Sequence, residues 1–309
     1  MFYPIISTPV DTDFFKKFID YNIELRAYSK VSYILSCKAA QFRGIKIAIK
    51  LKNDFEKMCS AISKLLNVNT EKAKEISLNV FAAASMEEMD AVRIGLKQEK
   101  FIEKHVEIEN CYYINEVINR GTGGIIALLH EGSFASVLCK FGFTYNFKVN
   151  ALAWPYFEAE CPIFRNFLER KINGMCEFMN GKFFYVGYIN AKEFYSKILN
   201  KELIAIVLDS PLGNSAKIPV KFMGKTFHYP FTALKIAFKT KSPLIPVFTY
   251  RDSDFTIKAK VFQPIYIKSR EEIPEKMQSF FNTIENELIK YPHEFFYWTS
   301  PTCWNRIDV

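Results

Sequence analysis

The run GGIIALLH, residues 123–130, carries apolar residues up to one imidazole and then turns through Glu131, Gly132 and Ser133. The apolar stretch reads as a buried strand, and SFASVLCKFG beyond it reads as a helix. In open α/β sheets the reactive groups gather at the carboxyl ends of strands. An imidazole in such a place can take a proton from a hydroxyl or amine, and turn amides near Gly132 and Ser133 can face a developing oxyanion. A second polar residue in the same kind of position is Asp209, which closes ELIAIVLD before SPLG. The remaining candidates are weaker. His228 falls in a predicted hairpin tail and His293 beside Pro292, places that suit surface or capping roles. Cys139 sits on an apolar helix face and reads as core rather than as a nucleophile. GTGG at 121–124 precedes a strand instead of following one, so it is a turn and not a dinucleotide loop.

Other segments must hold these two residues in place. The first hundred residues have apolar residues at helical spacing, as in FFKKFIDYNIELRAY, DFEKMCSAISKLLN and TEKAKEISLNVFAAASMEEMDAVRIGLK. The last of these has Asn69 and Thr70 as capping candidates. From HVEIEN onward, strand-like and helical runs alternate. KIPVKFMGKTFHY forms two short strands around Gly224, and MQSFFNTIENELIKY forms a closing helix. This order predicts an α/β fold, with a mostly parallel central sheet flanked by helices. No linker or repeat divides the chain. It reads as a single domain over 1–309, with a helical N-terminal layer (1–98) and an α/β core (99–309).

Composition narrows the function classes. Of 309 residues, 49% are hydrophobic and 24% charged, which excludes a disordered chain. The seven cysteines (Cys37, Cys59, Cys111, Cys139, Cys161, Cys176 and Cys303) are scattered without CxxC pairs or neighbouring histidines. They imply no disulfide framework and no metal site, and a reducing cytoplasm suits them. No apolar run reaches spanning length, and the opening residues lack the basic start of a signal peptide. The net charge is +8, with basic residues dense between 215 and 270. No nucleic-acid motif accompanies them, so an acidic protein, a phosphorylated cofactor or an anionic lipid surface is the expected partner. The 30 Phe and 16 Tyr need a large core or an apolar pocket. Phe134, Trp154, Tyr156 and Phe157 are candidates for the lining of such a pocket.

GGIIALLHEGSFAS resembles the strand-His-turn-helix of the lysophospholipid-acyltransferase superfamily, and is most similar to that of the bacterial lipid A late acyltransferases. LDSPLG resembles that family's Asp-Gln-Asp-Pro-Gly segment. KIPVKFMGKTFHYPFTALKIAFKTKSPLIPVFTYR follows its Phe-Phe-Gly to Pro-Val stretch, and IENELIKYPHEFFYWTSPTCWNR its closing segment. Arg170 and Gly174 fit its Arg-Gly pair, and the likeness spans roughly residues 75–306. The resemblance implies an acyltransferase with His130 as the base that deprotonates the acceptor. Asp209 and Arg170 would be polar residues of the site, and Trp154 part of the substrate cleft. The acyl donor would be an acyl carrier protein or acyl-coenzyme A thioester. An acidic carrier would dock on Lys217, Lys221 and Lys225, with peripheral membrane contact and no bound metal or redox cofactor. The chain departs from the family at Ala135, where the family has the acidic partner of its histidine. Glu131, Ser133, Ser136 or Asp209 could orient the imidazole instead. The alternatives are a thioester hydrolase on the same site and a non-catalytic protein that binds lipid or carrier.

Overall fold

The computed structural model describes residues 19–209 and 216–299. The segment SPLG after Asp209, the start of the first predicted helix, and Cys303, Trp304 and Arg306 of the closing segment lie outside the described residues.

The architecture is α/β with a mostly parallel sheet. Its strands are β1 (Val106–Glu109), β2 (Gly124–Leu128), β3 (Val149–Ala153), β4 (Phe183–Tyr185), β5 (Leu203–Val207), β8 (Leu244–Arg251) and β9 (Ile257–Val261). Their spatial order is β1-β9-β8-β2-β5-β3-β4. The run from β8 to β4 is parallel, β9 is antiparallel to β8, and β1 is parallel to β9. Every residue of β2 and β8 is buried, as expected of central strands covered on both faces, which is why β2 reads as an unbroken apolar run. A separate antiparallel hairpin joins β6 (Lys217–Phe222) to β7 (Lys225–Pro230). Its two-residue turn, Met223-Gly224, has positive φ at both positions, the backbone twist that suits a tight hairpin.

The N-terminal layer is helical, as expected. Helices Tyr33–Lys50 and Lys52–Leu66 pack on the long helix Thr70–Gly95. That helix starts where the sequence places it, with the Asn69 side chain accepting from the Lys72 N–H at 2.8 Å. From Val80 to Ile94 it is buried on all sides, so its charged side chains require partners. Glu87 pairs with Lys171, Glu88 with Arg43 and Asp90 with Arg251. Arg93 donates to Ser36 Oγ and Gln98 Oε1.

Candidate active site

His130 and Asp209 arise from neighbouring strands through one shared register. β2 pairs with β5 so that Leu128 lies opposite Val207. Two residues beyond each member of that pair come His130 and Asp209, so both chains deliver their polar residue to one spot at the sheet's carboxyl edge. The contact is close. His130 Nδ1 lies 2.7 Å from Asp209 Oδ1, and the His130 backbone N–H donates to Asp209 Oδ2 at 3.0 Å. With Asp209 ionised, its carboxylate only accepts, so Nδ1 carries the hydrogen and Nε2 keeps its lone pair. Asp209 is wholly buried, whereas 31% of the imidazole is exposed, so the ring is accessible and its anchor is not.

Two further charges act on the imidazole. Burial pulls its pKa down, but the charge and hydrogen bond of Asp209 outweigh this. Glu87 adds to the rise and Lys171 opposes it, leaving His130 above the ordinary histidine value. Lys171 and Glu87 form a buried pair at 2.5 Å. The ammonium also lies 5.9 Å from the centre of the Phe134 ring, which meets the His130 ring edge-on at 6.3 Å.

The turn after His130 is fastened from behind. The His130 carbonyl accepts from the Phe296 N–H at 2.8 Å, and the Gly132 N–H donates to the Glu294 carbonyl at 2.9 Å. The Gly132 amide is therefore engaged within the fold, which redirects the expectation that it faces an oxyanion. Gly132 has φ +49°, and a Cβ there would fall 2.5 Å from the Thr249 carbonyl oxygen, so glycine is required at this position. Ser133 Oγ donates to Asp90 Oδ2 at 2.9 Å and lies 2.9 Å from Ser136 Oγ. These two buried hydroxyls serve the Asp90–Arg251 pair and not the imidazole.

Those bonds leave Asp209, among the candidates for orienting the ring, as the one in contact with it. Glu131 points away into the interior, where its residue bridges to Phe295 and is wholly buried. Burial, then the nearby Asp209 charge, pushes its carboxyl pKa well up. Ala135, where the sequence resemblance would place an acidic residue, is also buried.

A family model described as bacterial lipid A biosynthesis acyltransferase matches residues 21–300. The chain belongs to this family. A search of curated proteins finds no match. Among solved structures, the chain is similar to the 1-acyl-sn-glycerophosphate (LPA) acyltransferase PlsC from Thermotoga maritima. The identity is 15%, with 82% of this chain and 97% of that one covered, at a TM-score of 0.39.

Not all positions expected from the family come together. Arg170 is exposed and donates to Asn22 Oδ1 at 2.8 Å. One position further along the helix Pro162–Met179, a rotation of about 100°, it is Lys171 that turns inward toward His130. Trp154 lies just past the carboxyl end of β3 and is 41% exposed. Beside it Phe157 packs edge-on against Tyr156, Tyr185 and Tyr188, making an aromatic cluster at the ends of β3 and β4. Lys217, Lys221 and Lys225 are all exposed on the β6–β7 hairpin. Among the described residues, no group of three or more His, Cys, Asp or Glu could hold a metal ion. Sequence reasoning missed Lys171 and Glu87. A signal existed in FAAASMEEMDAV, a helix apolar all round whose carboxylates must be buried and therefore paired.

Proposed function

We propose that this member of the lipid A acyltransferase family transfers an acyl group from a thioester to a hydroxyl or amine, with His130 as general base and Asp209 as its acidic partner. The observation that carries this reading is the 2.7 Å contact between Nδ1 and a wholly buried carboxylate, with the imidazole itself partly exposed. Asp209 holds the ring in the Nδ1–H tautomer and stabilises the imidazolium that forms.

The acceptor hydrogen passes to Nε2 as the acceptor oxygen or nitrogen bonds to the thioester carbonyl carbon. Negative charge then gathers on the carbonyl oxygen. Lys171, buried and paired with Glu87 close enough to act on the imidazole, supplies the positive field for it, in place of the Gly132 amide. Collapse of the tetrahedral adduct breaks the C–S bond, and the imidazolium returns its proton to the departing sulfur. The products are the acylated acceptor and a free thiol.

The donor is an acyl carrier protein or coenzyme A thioester. Three exposed lysines on the β6–β7 hairpin, which begins eight residues after Asp209, offer a docking surface for an acidic carrier. Exposed Trp154 and the nearby cluster of Tyr156 and Phe157 offer an apolar wall for the acyl chain.

The test incubates the protein and His130→Ala with both thioesters, with and without alcohol or amine acceptors, and follows products by mass spectrometry. Acceptor-dependent acyl product that falls about 10²–10⁴-fold in His130→Ala is expected. Release of free acid regardless of acceptor would instead make the enzyme a hydrolase. Thioester binding without turnover, equal in both proteins, would leave a binding protein.

A further inference from the structure

Between the helix Glu99–His105, the start of Tyr33–Lys50 and the end of Thr70–Gly95 lies a cleft of about 600 Å³. Arg93, Lys97, Lys100, Lys104 and His105 line it, with Glu99 as the acid among its lining residues. Lys97 is paired with Glu177 from the helix Pro162–Met179. Lys100 and Lys104 are exposed and make no ion pair among the described residues. The cleft has the volume of a small-molecule site, and its surplus of positive charge selects for an anion.

The back of the cleft is fixed by hydrogen bonds. Arg93 is buried, and its guanidinium donates to Ser36 Oγ at 2.8 Å, Gln98 Oε1 at 2.6 Å and the Val31 carbonyl at 3.2 Å. These acceptors are neutral, so they hold the group in place without cancelling its charge. The nearby Asp90 carboxylate is bonded by Arg251. The Tyr33 ring lies 5.6 Å from the guanidinium carbon of Arg93 and stacks on the His105 imidazole at 4.0 Å. Burial, then Arg93 and Lys104, holds that imidazole below the ordinary histidine value, with Arg251 acting in the same sense and Asp254 against it. The cleft by itself thus disfavours one more positive charge, and an anion within it reverses that preference. A phosphate group meets these requirements. It carries close to two negative charges at neutral pH and offers three strong acceptor oxygens to lysine donors.

We infer that this cleft binds a soluble phosphate ester or pyrophosphate, held by Lys100 and Lys104 in front of the buried Arg93. It lies off the acyl-transfer centre. Arg93 is about 9 Å along the long helix from Glu87 and about 120° away around it, on a different face. The inference does not rest on the role of His130.

The test is calorimetric titration of the full chain with pyrophosphate, whose binding should weaken with added salt. Lys100→Gln with Lys104→Gln should weaken it about tenfold or more. The melting temperature should not change, because both side chains are exposed and unpaired. In NMR the His105 ring signal, identified by its loss in His105→Gln, should titrate at higher pH once pyrophosphate is bound. Coenzyme A is the second probe. Competition with pyrophosphate would identify nucleotide phosphates as the source of the anion, and pyrophosphate binding that coenzyme A leaves unchanged would identify a free phosphate compound. Both outcomes uphold the site. Failure of both probes to bind, equal binding by the parent and the double-lysine variant, or a His105 midpoint unmoved at saturation would overturn the inference. His130→Ala should bind pyrophosphate as the parent does, so failure of the catalytic reading and failure of this one are distinguishable.

Discussion

An imidazole at a strand end becomes a useful base only when something fixes its tautomer and accepts its charge, and for the proposed acyl transfer that group would be Asp209, delivered by the adjacent strand and not by the following helix. Asp209→Asn keeps the shape but can place an amide N–H against Nδ1, favouring the tautomer with its hydrogen on Nε2. Its turnover is expected to fall about 10³-fold or more, measured in the same acyl-transfer assay. The surrounding charges set the pH dependence. A general base works when neutral, and His130 is held above the ordinary histidine value by Asp209 and Glu87 against the pull of burial and Lys171. The rate should therefore rise with pH through a midpoint above about 6.5. Glu87→Gln removes a charge that favours the imidazolium, so the midpoint should move to lower pH. Lys171→Met removes a charge that disfavours it, so the midpoint should move up. Profiles of kcat/KM against pH for both variants check the two signs, and shifts in the same direction would exclude this electrostatic account. Lys171→Met also strands a buried carboxylate, at about 3–5 kcal/mol of stability. Its profile therefore belongs beside that of the double variant Glu87→Gln with Lys171→Met, whose midpoint should lie between the two.

Elements decide which residues meet, and this is where the sequence is legible only in part. Apolar runs and turn residues locate each strand and the hairpin at Met223-Gly224, and they place His130 and Asp209 at strand ends. They do not say that β5 lies next to β2, because β3 and β4 come between them in the chain. The 2.7 Å contact follows from that adjacency and from the Leu128–Val207 register. Helical periodicity likewise cannot tell Arg170 from Lys171 as the inward residue until the packing of Pro162–Met179 is known. Nor can it show that Ile34, Leu35, Phe42, Ile45 and Ile49 of Tyr33–Lys50 face out, since apolar residues at helical spacing ordinarily face in. The small inward residues, Ser36, Cys37, Ala40, Gly44 and Ala48, were the available clue. Gly44 tests the packing they allow. Gly44→Ala gains helix propensity, yet its methyl would press on the backbone at Phe81 and Ala82. The close contact should dominate, giving a net loss of about 1–3 kcal/mol in chemical denaturation. Unchanged or raised stability would mean that the two helices are not held this close.

For the molecule as a whole, the question is how a helical layer and a sheet come to share one site. The aromatic excess supplies much of the bulk, with Phe81, Phe141, Phe248, Phe280, Phe281 and Trp298 wholly or almost wholly buried, but apolar packing alone does not fix the layer's position. A buried polar strap does this. Arg251, at the end of β8, bonds Asp90 of the long helix at 2.5 Å and the Tyr33 hydroxyl at the head of Tyr33–Lys50. Its backbone N–H donates to Glu294 at 2.8 Å, and Asp90 in turn accepts from Ser133 in the turn after His130. Arg251 and Asp90 together thus link the outer helix, the central helix, the closing segment and the turn after His130. Removing the guanidinium leaves Asp90 buried and unpaired, so Arg251→Met should cost about 3–5 kcal/mol. Asp90→Leu strands the guanidinium and should cost a similar amount. The double variant strands neither charge, so it should be more stable than the sum of the single losses predicts, with a coupling of about 1–3 kcal/mol in a denaturant double-mutant cycle. Additive losses would show that the layer is held by its apolar contacts alone. Non-additive stability together with reduced acyl transfer in Arg251→Met, under conditions where it remains folded, would show that the strap also keeps the His130 turn in register with the helices above it.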